Sequence, residues 1–208
     1  MASKTFHEEE ILKAAEELFV EHGYNATSTT DIAKKVGCNQ ALIHYYFRNK
    51  ENLFQQIFTK KIETILSYFS APLDDDGDFF KKMTVCINWY FDFLTQNPNL
   101  PFFVLNELIL NKERRAFIRN NFVNNTYRQN FYENYSKLVM KEIAAGNIYP
   151  MDPFDLLLDI ISLTITNFIA KPIYTDLLDK DESEGDKFIQ SRKEHVIRLI
   201  INGISLRK

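Results

Sequence analysis

Between Thr29 and Lys50 stand side chains whose combined chemistry suits a nucleic-acid duplex. Gln40 carries an amide able to form a bidentate pair with adenine, and Ala41 or Leu42 can lie against a thymine methyl. His44 and Tyr45 share the same outer arc. Tyr45 and Tyr46 pair an apolar ring, which can anchor on protein, with a hydroxyl that can reach a phosphate oxygen. Lys50 brings an ammonium to the backbone, and Thr30 a hydroxyl for a further phosphate contact. Contacts to base edges choose sequence, whereas contacts to phosphate set register. Protonation of His44 near a phosphate would make affinity pH-sensitive; the plainer reading is a neutral, exposed histidine selected for its shape.

Two short helices joined by a tight turn would hold these groups. Ile32 and Val36 recur at helical spacing on the first, and Ile43 and Phe47 form an i, i+4 pair on the second, so each has one face to bury. Ala33 is small where the helices must cross closely, and Gly37 can take the positive φ that the turn requires. Ser28, with Asp31 three residues later, suits the N-cap of the first helix, and Asn39 that of the second. A preceding helix is expected over about Glu8–Glu21, opened by Thr5 and Glu8 as a capping box and stopped by Gly23. Its stripe of Ile11, Ala15, Leu18 and Phe19 would pack beneath the pair. The same offsets also suit an ordinary helical hairpin, so spacing alone leaves both readings open.

The surrounding residues are more specific. Ile11-Leu12-Lys13-Ala14-Ala15, Leu18-Phe19, His22-Gly23-Tyr24, Thr27-Ser28-Thr29-Thr30, Tyr45-Tyr46-Phe47 and Asn49-Lys50-Glu51-Asn52-Leu53-Phe54 together resemble the N-terminal domain of the tetracycline-repressor (TetR) family. The likeness covers about the first quarter of the chain, and beyond about Phe58 only the helical layout is similar. It implies an all-α protein with a three-helix DNA-binding domain containing a helix-turn-helix, residues 1–54, and a helical effector-binding and dimerisation domain, residues 55–208. It also implies that the positions named above meet DNA. The chain departs from the family's common serine, lysine, glycine, threonine and tyrosine at Asn39, Gln40, Ala41, Leu42 and His44, so the reading surface differs while the scaffold is kept.

Charge agrees with a local rather than a general attraction to DNA. The formal net charge of the 208 residues is −3, yet Ile32 to Lys50 carries Lys34, Lys35, Arg48 and Lys50 and no acid. The acids Glu8, Glu9, Glu10, Glu16, Glu17 and Glu21 gather on the first helix. Such a chain should bind nonspecific DNA poorly and depend on a matched site. Cys38 and Cys86 are far apart and lack metal-ligand company, which points to free thiols in a reducing, cytoplasmic setting with no metal or cofactor. The apolar stretch Phe154 to Ile169 is interrupted by Asp155, Asp159 and Asn167, so no membrane span is expected. His7, His22, His44 and His195 are scattered, and no nucleophile–base set or phosphate-cradling glycine loop is present, which argues against an enzyme.

After the motif the chain reads as helices at about Lys50–Ser70, Phe79–Gln96, Leu100–Leu110, within Glu113–Ala145, Pro153–Lys171 and Ser183–Leu206, with proline and glycine at the joints. The last two, about 153–171 and 183–206, are apolar around more of their circumference than one core face needs. They are the expected homodimer interface, the alternative being helices central to their own subunit. Aromatics concentrate between Phe79 and Tyr135. Trp89, Phe93, Phe103, Tyr127 and Phe131, with Phe168 and the carboxylate of Glu107, are candidate lining for an apolar or aromatic small-molecule effector, though aromatics at helical spacing also build ordinary cores. The expected protein is a homodimeric, ligand-responsive repressor of a palindromic double-stranded operator. A helical protein-interaction module, or a DNA-binding regulator without effector, is the alternative.

Overall fold

The computed structural model describes residues 2–70, 77–105, 112–122 and 126–206. Among them ten helices follow one another: α1 Ala2–Ala26, α2 Thr29–Val36, α3 Gln40–Phe47, α4 Lys50–Ser70, α5 Phe79–Gln96, α6 Leu100–Val104, α7 Lys112–Phe122, α8 Thr126–Ala144, α9 Pro153–Leu177 and α10 Glu182–Ile204. The all-α expectation is met. The described residues contain no strand, only one antiparallel bridge between Ile148 and Ser205.

The chain divides into two compact units, Met1–Thr64 with Phe102–Arg114, and Ile65–Pro101 with Arg115–Lys208. The first is built on α1, α2, α3 and the start of α4. Ile11, Ala15, Phe19, Ile32, Ile43 and Leu53 are wholly buried there, and Phe47 nearly so. These are the residues that helical periodicity turns inward, and truncating a fully buried isoleucine such as Ile43 to alanine should cost about 2–5 kcal/mol. Phe19, Tyr24, Phe54, Phe58 and Phe103 continue this core as packed rings, with Phe54 at the centre: its centroid is 5.4 Å from Phe19, 5.1 Å from Tyr24, 5.8 Å from Phe58 and 5.5 Å from Phe103.

In the second unit α5 is the central helix, packed against α9 and α10, with α8 against α9. Phe79, Met83, Cys86, Ile87, Tyr90, Phe91, Phe93 and Leu94 are all buried, so α5 is enclosed on most sides. Gly185 lets α10 pass close to α9. A Cβ at that position would lie 2.7 Å from Lys171 Cε and 3.0 Å from Thr175 Cγ2, so both side chains would have to move.

Three elements differ from the sequence expectation. Helix α1 begins at Ala2, so Thr5 and Glu8 lie inside it rather than capping it. No proline or glycine precedes Gly23, and once a turn is nucleated nothing in that stretch stops propagation. Helix α9 runs through Pro172 to Leu177 instead of ending at Lys171. An interior proline removes a backbone hydrogen bond at about 3 kcal/mol. Contacts with α10 offset that loss: Tyr174 stacks on Phe188 at 4.3 Å and 16°, and Lys171 Nζ bridges Glu182 at 2.6 Å and Asp186 at 2.9 Å. The stretch within Glu113–Ala145 comprises two helices, α7 and α8.

Candidate nucleic-acid interface

Local capping builds the motif. Ser28 Oγ accepts from the Asp31 N–H at 3.1 Å while the Asp31 carboxylate accepts from the Ser28 N–H at 3.0 Å, a reciprocal capping box that starts α2. The Ser28 hydroxyl and N–H, donating to Asp31, hold its carboxyl below the usual carboxylate range. Gly37 closes α2 with φ 76 and ψ 26, in the left-handed region where only glycine sits without penalty. Asn39 Oδ1 then accepts from the Leu42 N–H at 2.9 Å and starts α3. Five residues thus set the two helix axes through short-range hydrogen bonds and one turn conformation.

Burying Ile43 and Phe47 turns the rest of α3 outward. Gln40, Ala41, His44 and Tyr45 are exposed, Leu42 and Tyr46 half-buried. Tyr45, 66% exposed, rests its ring edge-on against Tyr46 at 5.3 Å, so an apolar contact carries a projecting hydroxyl. Thr30 is exposed in the first turn of α2. Gln40 Nε2 donates to Thr29 Oγ1 at 2.7 Å, which links the start of α3 to the start of α2. His44 Nδ1 lies 2.8 Å from the Arg48 carbonyl oxygen.

Lys50 is placed differently from expectation. Its ammonium donates to the carbonyls of Tyr24 and Thr27, both at 2.9 Å, and sits 4.1 Å from the Tyr24 ring centroid. The lysine therefore ties the start of α4 to the chain just after the break at Gly23, where α1 leaves helical geometry at φ 80 and ψ 164. Two of its three donors are thus directed into protein.

The residues matched by the profile of bacterial regulatory proteins of the tetR family are 11–57, which enclose this whole arrangement. Residues 11–57 thus carry the N-terminal domain of the tetR family. Among its relatives, the fatty acid metabolism regulator protein of Bacillus subtilis is 28% identical over 91 residues, 44% of this chain and 47% of that protein. The regulator QacR of Staphylococcus aureus is 45% identical over 49 residues, 24% of this chain and 26% of that protein. These matches thus span about half and about a quarter of the relatives' lengths. In fold the likeness extends further. The fatty acid degradation regulator FadR of Bacillus halodurans superposes with a TM-score of 0.70 at 21% identity, over 97% of this chain and 96% of that one. FadR of Bacillus subtilis in complex with stearoyl-CoA gives 0.69 at 21% identity, over 94% and 98%.

The effector candidates fall in both units. Phe93 and Phe168 are buried in the second unit, Phe168 against Phe91 at 5.9 Å, and Phe131 stacks on Tyr135 at 6.1 Å and 18°. Trp89 is 40% exposed. Phe103 packs on Phe54 and Phe58 in the first unit. Glu107 lies outside the described residues, and Tyr127 is in the first turn of α8 with its side chain likewise outside them.

Sequence reasoning missed Arg114. It is 5% exposed and belongs to the first unit. Its guanidinium carbon lies 3.8 Å from the Tyr24 centroid and 3.7 Å from that of Phe54, and its two terminal nitrogens each meet a Glu51 oxygen at 3.2 Å. Burial first, then the Glu51 carboxylate, pushes the Tyr24 hydroxyl up to about 12. Nothing local in Lys112-Glu113-Arg114-Arg115 distinguishes the buried arginine from its exposed neighbour, because its partners are 60 or more positions away.

Proposed function

We propose that this chain is a ligand-responsive, sequence-specific regulator of transcription that binds a palindromic operator as a homodimer and represses from it in the cytoplasm. The observation that carries the proposal is the outward face of α3, held by caps at Ser28 and Asn39 in a family domain that reads DNA. One such helix covers too few base pairs for useful specificity, so two must be held about one DNA turn, roughly 34 Å, apart. The contacts with DNA are assigned to Thr30, Gln40, Ala41, Leu42, His44, Tyr45 and Tyr46.

Helices α9 and α10 are the proposed dimer interface. On α9 the stripe Leu156, Ile160, Thr164 and Phe168 is buried within the subunit, whereas Phe154 and Leu158 on another face are 53% and 50% exposed. On α10, Val196, Ile200 and Ile204 point inward and Leu199 is 49% exposed. By length and composition α9 is apolar enough to cross a membrane. Its inner stripe and the Asn167–Arg192 hydrogen bond at 2.7 Å favour instead a core helix whose second face meets another copy.

For the effector, an acyl chain is the first class to test, since that chemistry matches both the name of the Bacillus subtilis relative and the aromatic surroundings of α5. The hydroxyls of Tyr135 and Thr164 are buried without a hydrogen-bond partner, which leaves polar capacity for a ligand group or water inside the unit. Effector binding that favours one dimer spacing by about 1–3 kcal/mol would change DNA affinity about 5-fold to 150-fold.

Selection of sites from random duplex DNA by the purified chain, at fixed near-physiological salt, tests the reading. A palindrome with half-sites about one turn apart, a dimer by light scattering, and release of DNA by an acyl ligand are the expected results. A monomer, or failure to enrich any sequence, overturns the dimeric reader. A selected site that no ligand affects leaves a regulator without effector.

A further inference from the structure

The residue after α3 has an uncommon backbone. Arg48 has φ 65 and ψ −47, and across it the Asn49 N–H donates to the Phe47 carbonyl at 2.8 Å. This is a γ-turn of the strained, positive-φ form, which persists only where its surroundings enforce it. Here they do so from both sides: the Arg48 N–H completes α3 by donating to the His44 carbonyl at 2.9 Å, and Asn49 begins α4 by accepting from the Asn52 N–H at 2.8 Å. The turn carries the Arg48 carbonyl back onto the His44 ring, where its oxygen is 2.8 Å from Nδ1.

A carbonyl oxygen can only accept, so Nδ1 carries the proton. In a neutral imidazole the other nitrogen is then a bare acceptor. His44 is exposed, so Nε2 faces outward as a lone pair with no hydrogen to give. One turn earlier on the same face, Gln40 directs Nε2 at Thr29 Oγ1, which leaves Oε1 as the outward acceptor together with a second amide hydrogen.

We infer that Oε1 of Gln40 and Nε2 of His44 act as paired acceptors on the outer face of α3, selecting bases that present an exocyclic amine in the major groove. Those bases are adenine, through N6, and cytosine, through N4, whereas guanine and thymine present acceptors at the corresponding positions. Gln40 keeps a donor and can still satisfy adenine at both N6 and N7. His44 has none, so it is the stricter reader and rejects guanine and thymine on the strand it contacts. The inference rests on the DNA-reading function proposed above and adds to it the hydrogen-bond polarity of the contact.

Two measurements test it. Nitrogen-15 spectra of the free protein at pH 8 report the His44 tautomer without any DNA, and the Nδ1–H form is expected. Site selection with wild type and His44→Ala then identifies the base whose preference relaxes, which should be adenine or cytosine. Replacing that base by an analogue lacking the amine should weaken wild type roughly threefold to tenfold, the range of one hydrogen bond, and leave His44→Ala unchanged. An Nε2–H tautomer, guanine or thymine retained at that base, or equal losses for the two proteins would overturn the inference alone. A chain that selects no site overturns the DNA reading and this inference with it, whatever the tautomer.

Discussion

Replacing Arg114 by alanine should destabilise the first unit by about 2–4 kcal/mol, a figure assembled from three contacts. The ion pair with Glu51 is bidentate at 3.2 Å, but the Glu51 side chain is 41% exposed. Solvent screening therefore limits the pair to about 1 kcal/mol. The guanidinium lies within 3.8 Å of two ring centroids, Tyr24 and Phe54, with 6% of the side chain exposed. A desolvated cation on aromatic faces contributes about 1–2 kcal/mol. Withdrawing the buried stem from Phe54 and Tyr24 adds about 1 kcal/mol of lost apolar contact. Urea unfolding of the full chain by far-UV circular dichroism would read the change. Trp89, the one tryptophan, lies in the second unit and separates that unit's transition by fluorescence. Arg114→Lys should lose about half as much, since an ammonium keeps the charge but not the planar fork. A cycle with Glu51→Gln should give a coupling of about 1 kcal/mol. An Arg114→Ala protein within about 0.5 kcal/mol of wild type, the range of ordinary surface changes, would refute the reasoning and make the arginine a passenger.

Lys50→Ala should lower stability by about 1–3 kcal/mol through two lost charge-assisted hydrogen bonds, while the salt dependence of DNA binding keeps its slope. An unchanged melting temperature with a slope reduced by about one would restore the phosphate role. Because the Asp31 carboxyl is held below its ordinary value, it contributes stability above the unfolded carboxylate range, and that contribution disappears as pH falls through the folded value. The melting temperatures of wild type and Asp31→Asn should therefore differ at neutral pH and converge in acid; a constant difference would contradict the capping account. Burial pushes the Cys86 thiol up to about 12, whereas Cys38 is only half-buried. Native alkylation at pH 8 should label Cys38 first and Cys86 only on unfolding, as mass spectrometry would read.

The sequence by itself determined the helix-turn-helix. Ser28, Asp31, Gly37 and Asn39 act on backbone groups within five positions, and Ile32, Ile43 and Phe47 follow the helical repeat, so their consequences are local and legible in order. The apolar excess of the last two helices was legible for the same reason, as a periodicity. Tertiary structure decided what depended on partners distant in the chain. Lys50 met carbonyls of Tyr24 and Thr27 instead of facing outward, Phe103 joined the rings of the first unit, and Pro172 failed to end α9 because Tyr174 and Lys171 found Phe188, Glu182 and Asp186 on α10. The polarity of His44 also came from the fold, since a strained turn at Arg48 set which ring nitrogen holds the proton. A side chain's type specifies what it can bond, but the long-range packing of its neighbours selects which of those bonds form.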